Sequence, residues 1–185
     1  MQVERQHDER AGQSIWKIDQ THTSVEFEVG KLFFWKLRGR FVDVEGAVVL
    51  DEDVLAHSSV QVTIKAGSIE TRNERRDQNL RSASFLDVTR FPEITFRSSR
   101  VGPGKDRDML SIKGELTIKD TSKEVTLDVT EIDRSRSPQG EEVIYYVATA
   151  KFNRSAFGIG GWSGWIGSTV NVVINVQAFK VDPRM

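Results

Sequence analysis

Alternation of apolar and polar residues, repeated over segment after segment, limits this chain to folds built from strands with one wet and one buried face. Val25, Phe27 and Val29 stand against Glu26 and Glu28, and Val60, Val62 and Ile64 against Gln61, Thr63 and Lys65. The pattern is longest where Leu110, Ile112, Gly114, Leu116 and Ile118 oppose Lys113, Glu115, Thr117 and Lys119. It continues through Val125, Leu127 and Val129, then Val143, Tyr145 and Val147, and finally Val170, Val172, Ile174 and Val176. Short polar turns separate these segments at Asp51 to Asp53, Gly102-Pro103-Gly104, Asp120 to Ser122 and Ser137-Pro138-Gln139-Gly140. Such spacing is that of antiparallel hairpins.

One stretch has a different period. Thr71 with Glu74 three residues later reads as a capping box, and Arg72 to Leu80 contains no β-branched residue, which predicts a short helical insert around residues 71–86. Asp77 and Arg81 are spaced to pair on its exposed side. About eight amphipathic strands with one helical interruption are best accommodated by a sheet closed on itself, which removes the unpaired edges. The expected fold is therefore all-β: an eight-stranded antiparallel lipocalin-like barrel over residues 15–180, preceded by a flexible polar tail at 1–14. A barrel of about this strand number either is filled by its own side chains or holds one slender ligand.

Composition removes several function classes. The chain has 185 residues with 26 basic against 27 acidic side chains, so it offers no long-range field for nucleic acid or an anionic surface. With no Cys and only His7, His22 and His57, disulfides are excluded and neither a metal site nor a cofactor is expected. Apolar runs such as Ala47 to Leu50 are far shorter than a transmembrane segment. Glu4, Arg5, Asp8, Glu9 and Arg10 stand where a signal peptide would be apolar, which sets the expected location as cytoplasmic.

Catalytic motifs are absent from the sequence. Gly161, Ser163 and Trp165 lack the final Gly that a nucleophile elbow requires, and Gly158, Gly160 and Ser163 do not make a dinucleotide fingerprint. Arg72, Arg75, Arg76 and Arg81 are interleaved with acids and read as a solvated helix face. His22 beside Asp19 has the composition of a general base, but no nucleophile or second acid accompanies it. Arg76 and Asp77 read as a structural ion pair. His22, Arg76 and Asp77 are thus the polar candidates, no catalytic residue is assigned, and the chain is not expected to be an enzyme. The sixteen aromatics are unevenly placed: Phe33, Phe34 and Trp35 cluster, and Phe157, Trp162 and Trp165 lie among Gly158, Gly160, Gly161, Gly164 and Gly167. Aromatics on such a loop form either the greasy mouth of a ligand-holding barrel or a plug that caps its core.

A further set of residues points to a family. Trp16-Lys17-Ile18-Asp19, His22-Thr23-Ser24-Val25 and Phe27-Glu28-Val29 are followed in order by Arg38-Gly39-Arg40-Phe41, Ser68-Ile69-Glu70-Thr71 and Asn73-Glu74-Arg75-Arg76-Asp77. Leu80-Arg81-Ser82 with Phe85, Phe91-Pro92-Glu93-Ile94-Thr95-Phe96, Gly114-Glu115-Leu116-Thr117-Ile118 and Asn153-Arg154-Ser155-Ala156-Phe157-Gly158 complete the series. Together, over about Ile15 to Phe179, they resemble the YceI family. The resemblance implies a barrel whose apolar tunnel holds a polyisoprenoid, an isoprenoid quinone or a related long-chain lipid, as carrier or store. It departs from the family's usual pattern at Lys31, Gln78, Ser84, Leu86 and Asp120.

Hydrocarbon burial alone makes such a ligand reasonable. At roughly 0.8 kcal/mol per methylene, about fifteen to twenty buried carbons give a gross gain of about 12 to 16 kcal/mol before ordering costs. The lumen is expected to be lined by Phe27, Val29, Phe33, Phe34, Phe41, Ile64, Phe85, Phe96, Leu116, Ile118 and Phe152, with Phe157, Trp162 and Trp165 at its rim. Two rival readings stay open: an enzyme acting on a bound isoprenoid or fatty-acid derivative through His22, Arg76 and Asp77, and an interaction module using the Gly158 to Gly167 loop. A homodimer is compatible with any of the three.

Overall fold

The computed structural model describes residues 12–31, 36–161, 164 and 166–181. Among these, eleven strands and one α-helix follow in chain order: β1 (Gln13–Ile18), β2 (Ser24–Lys31), β3 (Lys36–Phe41), β4 (Val44–Asp51), β5 (Ser59–Lys65), β6 (Ile69–Glu70), α1 (Glu74–Arg81), β7 (Glu93–Pro103), β8 (Met109–Ile118), β9 (Thr121–Arg136), β10 (Glu142–Asn153) and β11 (Ile166–Val181).

The last strand closes the sheet. One half of β11 pairs antiparallel with β2, placing Ile174 opposite Val25, and the other half pairs with β1, placing Lys180 opposite Trp16. β1 and β2 are therefore one stave of the barrel, interrupted by a short 3-10 turn at Gln20–His22. β3 with β4 and β5 with β6 are broken staves of the same kind: β4 lies between β1 and β5, while β3 lies between β2 and β6. Counting each broken pair once, eight antiparallel staves close in chain order, as the alternating sequence requires. β6 has only two residues, and α1 packs beside it where the third stave ends. No helix among the described residues is long and apolar enough to cross a membrane.

The helix begins later than the capping-box reading has it. Asn73 is the cap, its side-chain oxygen accepting from the Arg76 amide at 3.0 Å, and Arg72 just before it is left-handed at φ 60. Thr71 is buried and binds Asp77 instead. Arg81 does not pair with Asp77 either: its guanidinium donates at 2.8 Å to the carbonyls of Gly67 and Ile69, tying the end of the helix to the third stave.

Inward and outward faces follow the predicted parity on most staves, with two departures. On β10 the lumen receives Tyr146, Ala148, Ala150 and Phe152, while Tyr145 and Val147 lie on the other face. Val143 to Ala148 is a continuous apolar run, so it carries no period from which facing can be read. On β7 the register shifts between Ser98 and Arg100, so Phe96 and Val101 both point inward despite their odd separation. A bulge of this kind reverses a strand's parity.

Candidate functional site

The barrel interior is not filled by its side chains. Two apolar chambers lie end to end, about 160 Å³ on the side of the glycine-rich loop and about 120 Å³ on the side of β1. Each is comparable to the roughly 150 Å³ apolar cavity that admits a benzene ring. Among the described residues, twenty-two of the twenty-three side chains around the first of these, the upper chamber, are apolar, the exception being Arg154. Around the lower chamber the polar residues are Thr23, Ser58 and Tyr146. The Thr23 hydroxyl donates to the Gln177 carbonyl at 3.4 Å and that of Tyr146 to Glu131 at 3.3 Å, while the Ser58 hydroxyl accepts from the Asp51 amide at 2.9 Å. Burial pushes the Tyr146 hydroxyl above its ordinary pKa, and the Glu131 carboxylate pushes it further in the same direction. It stays neutral at physiological pH and adds no charge to the lower chamber.

Phe27, Val29, Phe41, Phe85, Leu116, Ile118 and Phe152 of the expected lumen residues line the upper chamber. Phe96 lines the lower one and Ile64 lines both. Phe27 and Phe41 meet with ring centroids 5.7 Å apart. Phe27 fits because its register partner is Gly39, where a Cβ would fall 2.4 Å from the tip of the ring. Phe157 is placed differently from expectation: at 1% exposure it is fully buried but not part of the chamber wall, and it packs edge-on against Phe152 at 5.3 Å. Its position in a 3-10 turn, Arg154–Phe157, turns the ring behind the wall. Phe33, Phe34, Trp162 and Trp165 lie outside the described residues.

Arg154 carries no site role in the sequence reading, yet it organises the loop at the upper end of the barrel. Its side chain is 8% exposed. Nε donates to the Gly167 carbonyl at 2.9 Å, Nη1 to those of Ile159 and Gly160 at 2.9 and 3.0 Å, and Nη2 to that of Ile166 at 3.1 Å. A planar guanidinium can bind carbonyls in several directions at once, as an ammonium cannot. The loop it holds comes up against the lumen: Gly161 is left-handed at φ 73, and a Cβ there would fall 2.4 Å from Phe85 Cζ. In sequence Arg154 is one charge among twenty-six bases, and nothing local separates it from a solvated one.

The polar candidates do not converge on the lumen, and none of them is part of either chamber wall. His22 has a 61% exposed side chain and its Nδ1 lies 2.5 Å from Asp19 Oδ2. Burial pushes the Asp19 carboxyl up, but hydrogen bonds from His22 and the Thr21 amide outweigh this and hold it below its usual value. Arg76 and Asp77 both bind Thr71. Asp77 accepts from the Thr71 amide at 2.9 Å and from its hydroxyl, while Arg76 Nε donates to that hydroxyl at 2.7 Å and Nη2 to the Thr71 carbonyl at 2.6 Å. This knot fixes the chain entering α1. Among the described residues no three His, Asp or Glu side chains are grouped to hold a metal ion.

A closed antiparallel meander around an apolar lumen defines the lipocalin-like class of up-and-down barrels. Within that class the YceI-like domain matches residues 16–178, and the chain belongs to this family. It is 35% identical to Protein YceI of Shigella flexneri over 167 residues, covering 89% of this chain and 86% of that protein. BcnA of Burkholderia cenocepacia has a similar fold, with a TM-score of 0.78 at 21% identity over 86% of this chain and 98% of that one. So does a polyisoprenoid binding domain from Saccharophagus degradans implicated in plant cell wall breakdown, with a TM-score of 0.68 at 13% identity over 90% and 98% of the two chains.

Proposed function

We propose that the protein binds a single long apolar lipid tail, of the polyisoprenoid or isoprenoid quinone class, inside the barrel and acts as its carrier or store without covalent chemistry. The observation that carries this reading is the pair of adjoining apolar chambers, in whose walls Arg154 is the one charged side chain among the described residues. That guanidinium is engaged with main-chain carbonyls. A wall of this kind favours hydrocarbon over water, and its one phenol, Tyr146, is held neutral by burial and bonded to Glu131. The description of the Saccharophagus degradans domain as polyisoprenoid binding supports the same ligand class. The enzyme reading would need His22, Arg76 or Asp77 at the lumen, and their places outside the chamber walls favour the carrier.

Organic extraction and mass spectrometry of natively purified protein, followed by uptake of added polyprenol and quinone, test the proposal. A co-purifying or captured long-chain lipid is the expected result. Protein that contains none and takes up neither compound overturns it.

A further inference from the structure

Val25, Ile64, Leu127 and Ile174 belong to both chambers. They come from β2, β5, β9 and β11, on opposite sides of the barrel, and Val25 and Ile174 are direct register partners. Together they form a waist between the two spaces. Three of the four are β-branched, so their side chains have little freedom to swing aside, and Leu127 is the adaptable member. Beyond the waist the lower chamber ends at a floor. There Trp16, Leu50, Ile144 and Ala178 form a buried cluster in which Trp16 is 1% exposed. The Arg134 guanidinium and the Lys180 ammonium each lie 5.8 Å from the centre of the Trp16 ring.

We infer that the barrel measures chain length. This rests on the proposed binding of an apolar tail and adds a selection rule to it. A tail entering under the glycine-rich loop fills the upper chamber first and gains further contact only by passing the waist into the lower one. It gains nothing beyond the floor. Ligands too short to reach the waist leave the lower chamber unused, and longer ones must leave their excess outside the mouth. The preferred ligand is accordingly a slender chain, linear or bearing only methyl branches along its length, that spans both chambers, and a bulky polycyclic lipid is rejected at the waist.

A series of n-alkanols of stepwise increasing length, titrated into delipidated protein by calorimetry, reads this rule directly. Affinity should rise by up to about fourfold per methylene and then level off once the floor is reached. Leu127→Phe narrows the waist and should move the plateau to shorter chains. Ala148→Leu, on the wall of the lower chamber, should shorten it by a smaller step. An affinity that keeps rising through the whole series in the wild-type protein overturns the inference, whether or not either variant folds. So does a folded Leu127→Phe whose plateau falls at the wild-type length. If no alkanol, polyprenol or quinone binds the wild-type protein at all, the carrier reading itself has failed.

Discussion

The mouth and the floor of the barrel each have an arginine, and the two arginines close their ends by different physics. Arg154 is buried and donates to main-chain carbonyls of the glycine-rich loop. Arg134, 40% exposed, bonds Glu52 at 2.6 Å and Glu131 at 3.1 Å and lies above Trp16. At the floor an apolar side chain does the closing and charges cover it. At the mouth a buried guanidinium binds the carbonyls of the glycine-rich loop, whose Ile159 and Ile166 side chains line the upper chamber. Under the proposed function the loop end is the one a ligand passes, and a closure that hangs on a single side chain suits it better than one built by packing.

Removal of Trp16 should produce the largest effect. Trp16→Ala takes out one of the largest fully buried side chains, and truncations of this kind cost about 3–5 kcal/mol. Urea denaturation should show a loss in that range, and a loss under 1 kcal/mol would mean that the charged cover closes the floor after all. Arg154→Leu should follow at about 3 kcal/mol, because the hydrogen bonds of one buried guanidinium to several loop carbonyls are lost at once. Its signature is local: hydrogen exchange should speed up over residues 158–161 and 166–168 and leave the amides of β1 and β4 unchanged. Exchange that accelerates evenly across the barrel would show that Arg154 supports the fold as a whole and would dissolve the contrast between the two ends.

The staves were legible because their polar face is written in the sequence. Leu110 to Ile118 alternates without interruption, and its facing in the barrel follows. Legibility ended where alternation did, as in the apolar run Val143 to Ala148, or where one extra residue shifts the register, as at Ser99. Most of the expected lumen residues sit at the chambers because a large apolar side chain on an alternating strand has only one buried side to occupy. Phe157 and Arg154 escaped the same logic because both lie in a non-repeating turn, where facing is set by tertiary contact. The place of the polar candidates was hidden for a related reason. Neighbouring charges such as Arg76 and Asp77 look alike in sequence whether they meet a substrate or, as here, the backbone and hydroxyl of Thr71.

The smallest effect expected distinguishes the two ends by pH. Glu142, beside the floor, accepts from Lys180 Nζ at 2.8 Å and from Arg136 at 3.3 Å. The Lys180 hydrogen bond, with that residue's charge, holds the carboxyl below its ordinary value of 4.5. A carboxyl that is more acidic in the folded state stabilises the fold above its unfolded pKa, and the contribution disappears as pH falls through the folded value. Asp51 behaves alike, lowered mainly by the Val54 amide, so the acid response of the whole protein has several sources. The comparison between wild type and Glu142→Gln isolates one of them. The two melting curves should draw together as the pH drops below about 4.5 and stay a constant distance apart above it. The mouth has no part in this response, since Arg154 binds main-chain carbonyls there and no carboxylate. Exchange over residues 158–161 should therefore hold steady while the floor loosens, and a loop that opens in step with the floor would show the two closures to be one.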